Sequence, residues 1–171
     1  MPSFINKIVI LVTLGVILAC TFCGCKEDRP EQSNLREELP TERTDSSYVL
    51  LLDRLLFFQN KITADVSDAH AVIAYRKISY DTATDCFYTV GKGVANKNFP
   101  EAAQNASRQL AAKRTAINWV LYLKNWSEGK SIEYGTPVSG NIMYSKSVLD
   151  QQEGDTLLRL FQFPIGSIIL E

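Results

Sequence analysis

The chain has 171 residues, with 18 basic and 19 acidic side chains and a formal net charge of −1, so it has no general electrostatic attraction for nucleic acid. A hydrophobic fraction of 46% and a charged fraction of 22% are globular, and the length allows one domain around one small core. The single histidine, His70, and four cysteines, three of them crowded at Cys20, Cys23 and Cys25, leave little material for acid–base, thiol or metal chemistry.

The N-terminus has the layout of an export signal. Lys7 precedes the apolar run Ile8 to Leu18, which ends in Ala19-Cys20. That is a basic region, an apolar region and a small-residue cleavage site. The run is shorter than the ~20 residues that span a bilayer comfortably, although extension to Phe22 or Cys23 would make a signal anchor. Ile17-Leu18-Ala19-Cys20 resembles the bacterial lipobox, whose cysteine is acylated before cleavage. Residues 1–19 are therefore expected to be a lipoprotein signal peptide and Cys20 the lipid attachment site. Phe22-Cys23-Gly24-Cys25 is a second match, with Gly24 at the cleavage position and Lys26-Glu27-Asp28 behind it. It makes residue 24 the alternative end and Cys25 the alternative attachment site. Two or three acyl chains, at about 0.8 kcal/mol per buried methylene, would hold the protein on membrane lipid. A zinc cluster at Cys20, Cys23 and Cys25 is disfavoured, because no second ligand group follows on folded backbone.

Residues 20–47 are expected to be a flexible charged tether. From Lys26 to Ser47 there are seven acidic and four basic residues, two prolines, and only Leu35 and Leu39 as large aliphatics. Such a segment buries too little surface to offset its ordering entropy. A short helix at Leu35 to Leu39 that docks a partner is the alternative.

A single domain is expected over residues 48–171. Asp45-Ser46-Ser47 supplies cap residues for Tyr48 to Phe58, where Leu51, Leu55, Phe58 and Ile62 fall at helical spacing. This predicts an N-terminal helix of about four turns, apolar nearly all round, with a strand as the alternative. Leu51, Leu55 and Phe58 are its candidate interaction surface. Ala71 to Tyr80, with Val72, Ile73, Tyr75, Ile78 and Tyr80, reads as a strand followed by a turn at Asp81 to Asp85. Asp65, Asp68 and His70 are not spaced to share one helix face, which argues against a metal site.

Cys86 to Val90 reads as a strand broken by Gly91-Lys92-Gly93. A phosphate-binding loop would need a third small residue close behind and a helix starting at once. Val94 to Phe99 intervenes before Pro100, so a bend or a close backbone approach is the better account. Pro100 and Glu101 then open a long helix to Trp126, which Gly129 closes. At 100° per residue, Ala103, Ala106, Leu110, Ile117, Val120 and Leu121 share one face, and Ala112, Ala116, Trp119, Leu123 and Trp126 adjoin it. Ser139 to Val148 reads as a strand, Gln151 to Asp155 as a hairpin turn, and Thr156 to Phe163 as the partner strand. Pro164 ends it, leaving an apolar tail that must pack somewhere. The expected class is α+β: a β-α-β-β small antiparallel sheet with one long helix across a face, plus the N-terminal helix.

Gly91-Lys92-Gly93 behind a strand, the alanine-studded helix through Ala102, Ala103, Ala106, Ala111, Ala112 and Ala116, and the two-stranded close with Gly140 and Gly154 together resemble the LPP-twenty lipoprotein family. The likeness covers residues 86 to 163, and Arg108 and Arg114 match the family's arginine-bearing helix. Trp119-Val120-Leu121-Tyr122 departs from it, standing where smaller and more polar residues are the family's habit. The resemblance implies a bacterial outer-membrane lipoprotein with an envelope-structural or assembly role, no catalysis and no cofactor. The residues lead to the same expectation: a lipid-anchored envelope protein that is not an enzyme and acts by self-association or by contact with another envelope protein, through the N-terminal helix or the uncovered sheet face. The alternative is a binding module for a small apolar or glycan ligand, walled by Trp119, Tyr122, Trp126 and Tyr134.

Overall fold

The computed structural model describes residues 45–171. The expected signal peptide, both candidate acylation sites at Cys20 and Cys25, and the tether up to residue 44 lie outside the described residues. Among the described residues there are three α-helices: α1 (Asp45–Ala64), α2 (Ala69–Ser79) and α3 (Glu101–Ser127). The strands are β1 (Tyr80–Asp81), β2 (Cys86–Val94), β3 (Gly140–Ile142), β4 (Lys146–Glu153), β5 (Thr156–Pro164) and β6 (Ile168–Leu170). They form an antiparallel sheet in the order β1-β2-β5-β4 and a separate β3-β6 pair. The class is α+β, with the long helix across one sheet face and an N-terminal helix, as the sequence predicts.

The strand does not break at its glycines. β2 runs through Gly91 and Gly93 to Val94, paired with β5 from Cys86 opposite Pro164 to Val94 opposite Thr156. The reason for glycine is α3. A Cβ on Gly91 would lie 2.0 Å from the Ala112 carbonyl oxygen, and one on Gly93 would lie 1.9 Å from that of Arg108. Two residues further back, Thr89 donates its hydroxyl to the Ala116 carbonyl at 3.2 Å. Thr89, Gly91 and Gly93 share a face at the strand's period of two, while Arg108, Ala112 and Ala116 share a row at the helix's period of four. Four helical residues advance about 6.0 Å and two strand residues about 6.8 Å, so the two rows stay nearly in step as the helix runs back along the strand.

The second half of α3 then fills the core. Ala112, Ala116, Trp119 to Leu123, Asn125 and Trp126 are buried. Its first half differs from the expected apolar face, because Ala103, Ala106 and Leu110 are exposed. The 27-residue helix outruns its partner strand there. At the other end, Gly129 at φ 80° lets its own N–H reach the Trp126 carbonyl and the Lys130 N–H reach that of Asn125. These are the two hydrogen bonds of a Schellman cap.

The face of β2 opposite α3 carries Tyr88, Val90 and Lys92, and α1 covers it. The Tyr48 ring lies 6.2 Å from that of Tyr88, Lys92 donates to the Asn60 side chain at 2.6 Å, and Gln59 donates to the Val90 carbonyl at 3.1 Å. The sheet face expected to be uncovered is therefore packed by the protein's own first helix. Thr115 donates to the Lys92 carbonyl at 3.0 Å. β1 pairs only with Cys86 and Phe87, and these side-chain donors serve carbonyls of β2 beyond its reach.

Ala71 to Tyr80, expected as a strand, is helix α2 up to Ser79. Asp68 caps it, accepting the Ala71 N–H at 2.9 Å, and Ala71, Tyr75 and Ser79 repeat every four residues as its buried face. The abundance of β-branched and aromatic residues points to a strand, but the capping aspartate and that repeat prevail. Ser139 to Val148 divides into β3 and the start of β4. The β4–β5 hairpin closes on a two-residue turn in which Gly154 alone has positive φ, at 55°. Past Pro164, the apolar tail turns through Ile165–Ser167 and returns as β6 beside β3, burying Ile168. On exposed β4, Asp150 receives both the Nε of Arg159, at 2.6 Å, and its terminal nitrogen. That guanidinium holds the carboxyl below its usual range.

Gly91→Ala tests the strand–helix contact. The added methyl must push helix backbone rather than a flexible side chain, so a loss of at least about 2 kcal/mol is expected. Thermal unfolding followed by circular dichroism should show Tm lowered by roughly 5–10 °C. An unchanged Tm would mean that the helix does not rest on the strand.

Candidate functional site

α2 has two faces. Ala71, Tyr75 and Ser79 turn inward, where Gln59 donates to the Tyr75 phenol oxygen at 2.9 Å and burial holds that phenol far above its ordinary pKa. Ile73, Arg76, Lys77 and Tyr80 fall at spacings of three, four and seven on the outer side. That outer row is one wall of an open cleft of about 780 Å³. Phe87 at the start of β2, Leu123 and Ser127 near the end of α3, Ile165 beyond β5 and Thr82 complete the lining.

The cleft has an apolar floor and a polar rim. Phe87 is 3% exposed and Leu123 is fully buried, whereas Ile73 at 60% and Tyr80 at 39% stand out at the mouth. Tyr80 packs its ring 5.7 Å from that of Phe87 and donates its hydroxyl to Asp85 at 3.0 Å, an arrangement that raises the phenol's pKa. Asp81 caps the same turn, accepting the Ala83 N–H at 3.1 Å and the Thr84 hydroxyl at 3.1 Å. Neither Arg76 nor Lys77 forms an ion pair with a carboxylate among the described residues. None of the described residues lining the cleft is a histidine, cysteine, aspartate or glutamate. What it offers a ligand is apolar area, two cations and hydroxyls.

The candidate interaction surface on α1 turns inward instead. Leu55 is fully buried, and Leu51 and Phe58 are half-buried and packed against the core. The apolar side chains that α1 exposes are Val49, Leu50 and Phe57. A face read at positions 51, 55, 58 and 62 is thus rotated from the buried set Leu52, Leu55, Gln59 and Ile62. A glutamine on the buried side misleads the pattern. Asp65 and Asp68 serve the α1–α2 turn, Asp65 accepting both the N–H and the hydroxyl of Ser67. No group of three potential metal ligands occurs among the described residues. No helix of the described residues is long and apolar enough to cross a membrane.

No family model, curated protein or solved structure matches this chain. Site assignment therefore rests on geometry alone.

The aromatic wall expected for a glycan is core. Trp119, Tyr122 and Trp126 are at most 5% exposed, and Tyr134 stacks on Trp119 with ring centroids 4.2 Å apart. The indole of Trp126 donates to the Ile132 carbonyl at 2.7 Å, and the Tyr122 hydroxyl accepts the Gly135 N–H at 3.0 Å. These contacts fasten the segment after α3 to the helix. The residues that line the open cleft were missed because α2 reads as a strand. As a helix, its outer row of Ile73, Arg76 and Lys77, with Tyr80 just past its end, is the signal that the sequence carries.

Buried indoles should be shielded from solvent. Iodide is expected to leave the fluorescence of Trp119 and Trp126 nearly unquenched, and soluble cell-wall glycan fragments should not alter it. Strong quenching by either would return these aromatics to the list of ligand contacts.

Proposed function

We propose that the protein is a lipid-anchored domain of the bacterial envelope that works by non-covalent contact rather than catalysis. One observation carries this reading: the order Lys7, an apolar run through Leu18, then Ala19-Cys20, which matches export followed by acylation of Cys20. Cys25, behind Gly24, is the alternative site. The charged stretch that follows suits a spacer between the membrane and the folded domain, and the resemblance to the LPP-twenty lipoproteins supports an outer-membrane location.

A contact role is supported by the exposed apolar side chains. Leu50 and Phe57 on α1, Val94 and Phe99 before α3, Leu110 on α3, and Met143 and Tyr144 after β3 are large hydrophobics facing solvent. They give a second copy, or another envelope protein, apolar area to bury. The candidate site favours a second reading, a binding module for a small ligand, because its cleft joins an apolar floor to two cations that form no ion pair among the described residues.

Mass spectrometry of the N-terminal peptide from the producing cell tests the anchor. The expected mature chain begins at a diacylglycerol-modified Cys20, or at Cys25 if the second motif is used. An unmodified Met1, or Cys20 and Cys25 both free, would overturn it.

A further inference from the structure

The cleft between α2 and α3 is amphiphilic in a particular way, and its two cations form no ion pair among the described residues. Its volume of about 780 Å³ lies in the range of pockets that bury small organic ligands. Ile73, Phe87, Leu123 and Ile165 supply the apolar lining, and Arg76 and Lys77, consecutive on α2, line the cleft as well. Cations in the last turn of a helix are ordinarily explained by the helix dipole, and both residues lie in the last turn of α2. That explanation does not reach Ile73, which the same face leaves 60% exposed beside them. Nor does a carboxylate among the described residues pair with them. Asp85 takes the Tyr80 hydroxyl and Asp81 takes donors from its own turn. An apolar trough lined by two cations that have no carboxylate partner among the described residues is complementary to a molecule with one apolar tail and one anionic head.

We propose that this cleft binds a long-chain fatty acid, its tail along Ile73, Ile165 and the edge of Phe87 and its carboxylate at Arg76 and Lys77. The carboxylate accepts from the guanidinium and the ammonium, and the tail covers Ile73 from water. A single chain suits the cleft's size better than a two-chain lipid. The proposal rests on the cleft and is independent of acylation at Cys20.

Photocrosslinking of the full chain in native membranes tests it, with a sixteen-carbon fatty acid bearing a mid-chain diazirine as the probe and the corresponding primary alcohol as the neutral control. Labelled peptides are expected to fall in Ile73–Tyr80, in Leu123–Ser127 or at Ile165, and excess unlabelled fatty acid should suppress them. The alcohol should label the cleft at least about tenfold less, the equivalent of one charge-assisted hydrogen bond. Arg76→Gln with Lys77→Gln should cost the acid the same factor and leave the alcohol unaffected. Ile73→Asp, at an exposed position, should abolish labelling by both without loss of folded protein. Labelling spread over the surface, equal labelling by the alcohol, or labelling indifferent to these substitutions would overturn the proposal. The mass of the N-terminal peptide, read on the same sample, separates a failure of the anchor from a failure of the cleft.

Discussion

The contact of α3 with the two glycines of β2 is the constraint on which the rest of the domain depends. Helix carbonyls at Arg108 and Ala112 occupy the space that side chains on Gly93 and Gly91 would take. Backbone resting on backbone sets the distance between helix and sheet, and this distance decides which residues beyond it can be large. Past Ala116 the small residues end. Trp119 to Leu123 and Trp126 then meet Phe87, Phe161, Phe163 and Ile168 in one buried cluster. The helix is therefore close at its middle and bulky at its end, and both properties follow from the order of small and large residues along it.

Once α3 is fixed on one face, the opposite face needs its own cover, and α1 supplies it. Gln59 is the unusual element of that packing. It is 2% exposed and divides its amide protons between the Tyr75 phenol and the Val90 carbonyl, so one side chain ties α1 to α2 and to the sheet. The cleft lies at the far end of α2, between its outer side and the end of α3. Tyr75 on the inner face meets Trp119 with centroids 5.2 Å apart, and Arg76 beside it points away from that contact.

Much of this was legible in the sequence, for physical reasons that differ from element to element. Pro100, Glu101 and Gly129 mark the ends of α3 because proline, an acidic first turn and a left-handed glycine each suit one end of a helix. The glycine pair reads correctly as a site of close approach, although not as an uninterrupted strand, because nothing local says that a helix will press on that face. Ala71 to Tyr80 reads wrongly because Val72, Ile73 and Ile78 favour strands locally, while the tertiary pattern of Ala71, Tyr75 and Ser79 is helical. The face of α1 is misjudged at two of four positions, Leu51 and Phe58 standing for the buried Leu52 and Gln59, because a count of apolar residues leaves Gln59 out. The cleft was out of reach for the same reason as α2. A surface assembled from two helices, a strand and a 3-10 turn has no signature in any one of them.

Residue-resolved hydrogen exchange of the folded protein tests the central claim most directly. If α3 is held by its contact with β2, amides from Ala112 to Trp126 and through the centre of β2 and β5 should exchange together, only on global unfolding, while Ala103 to Leu110 exchange faster in the overhanging half of the helix. Uniform protection along all of α3, or exchange at Ala112 and Ala116 as rapid as at Ala103 and Ala106, would contradict it.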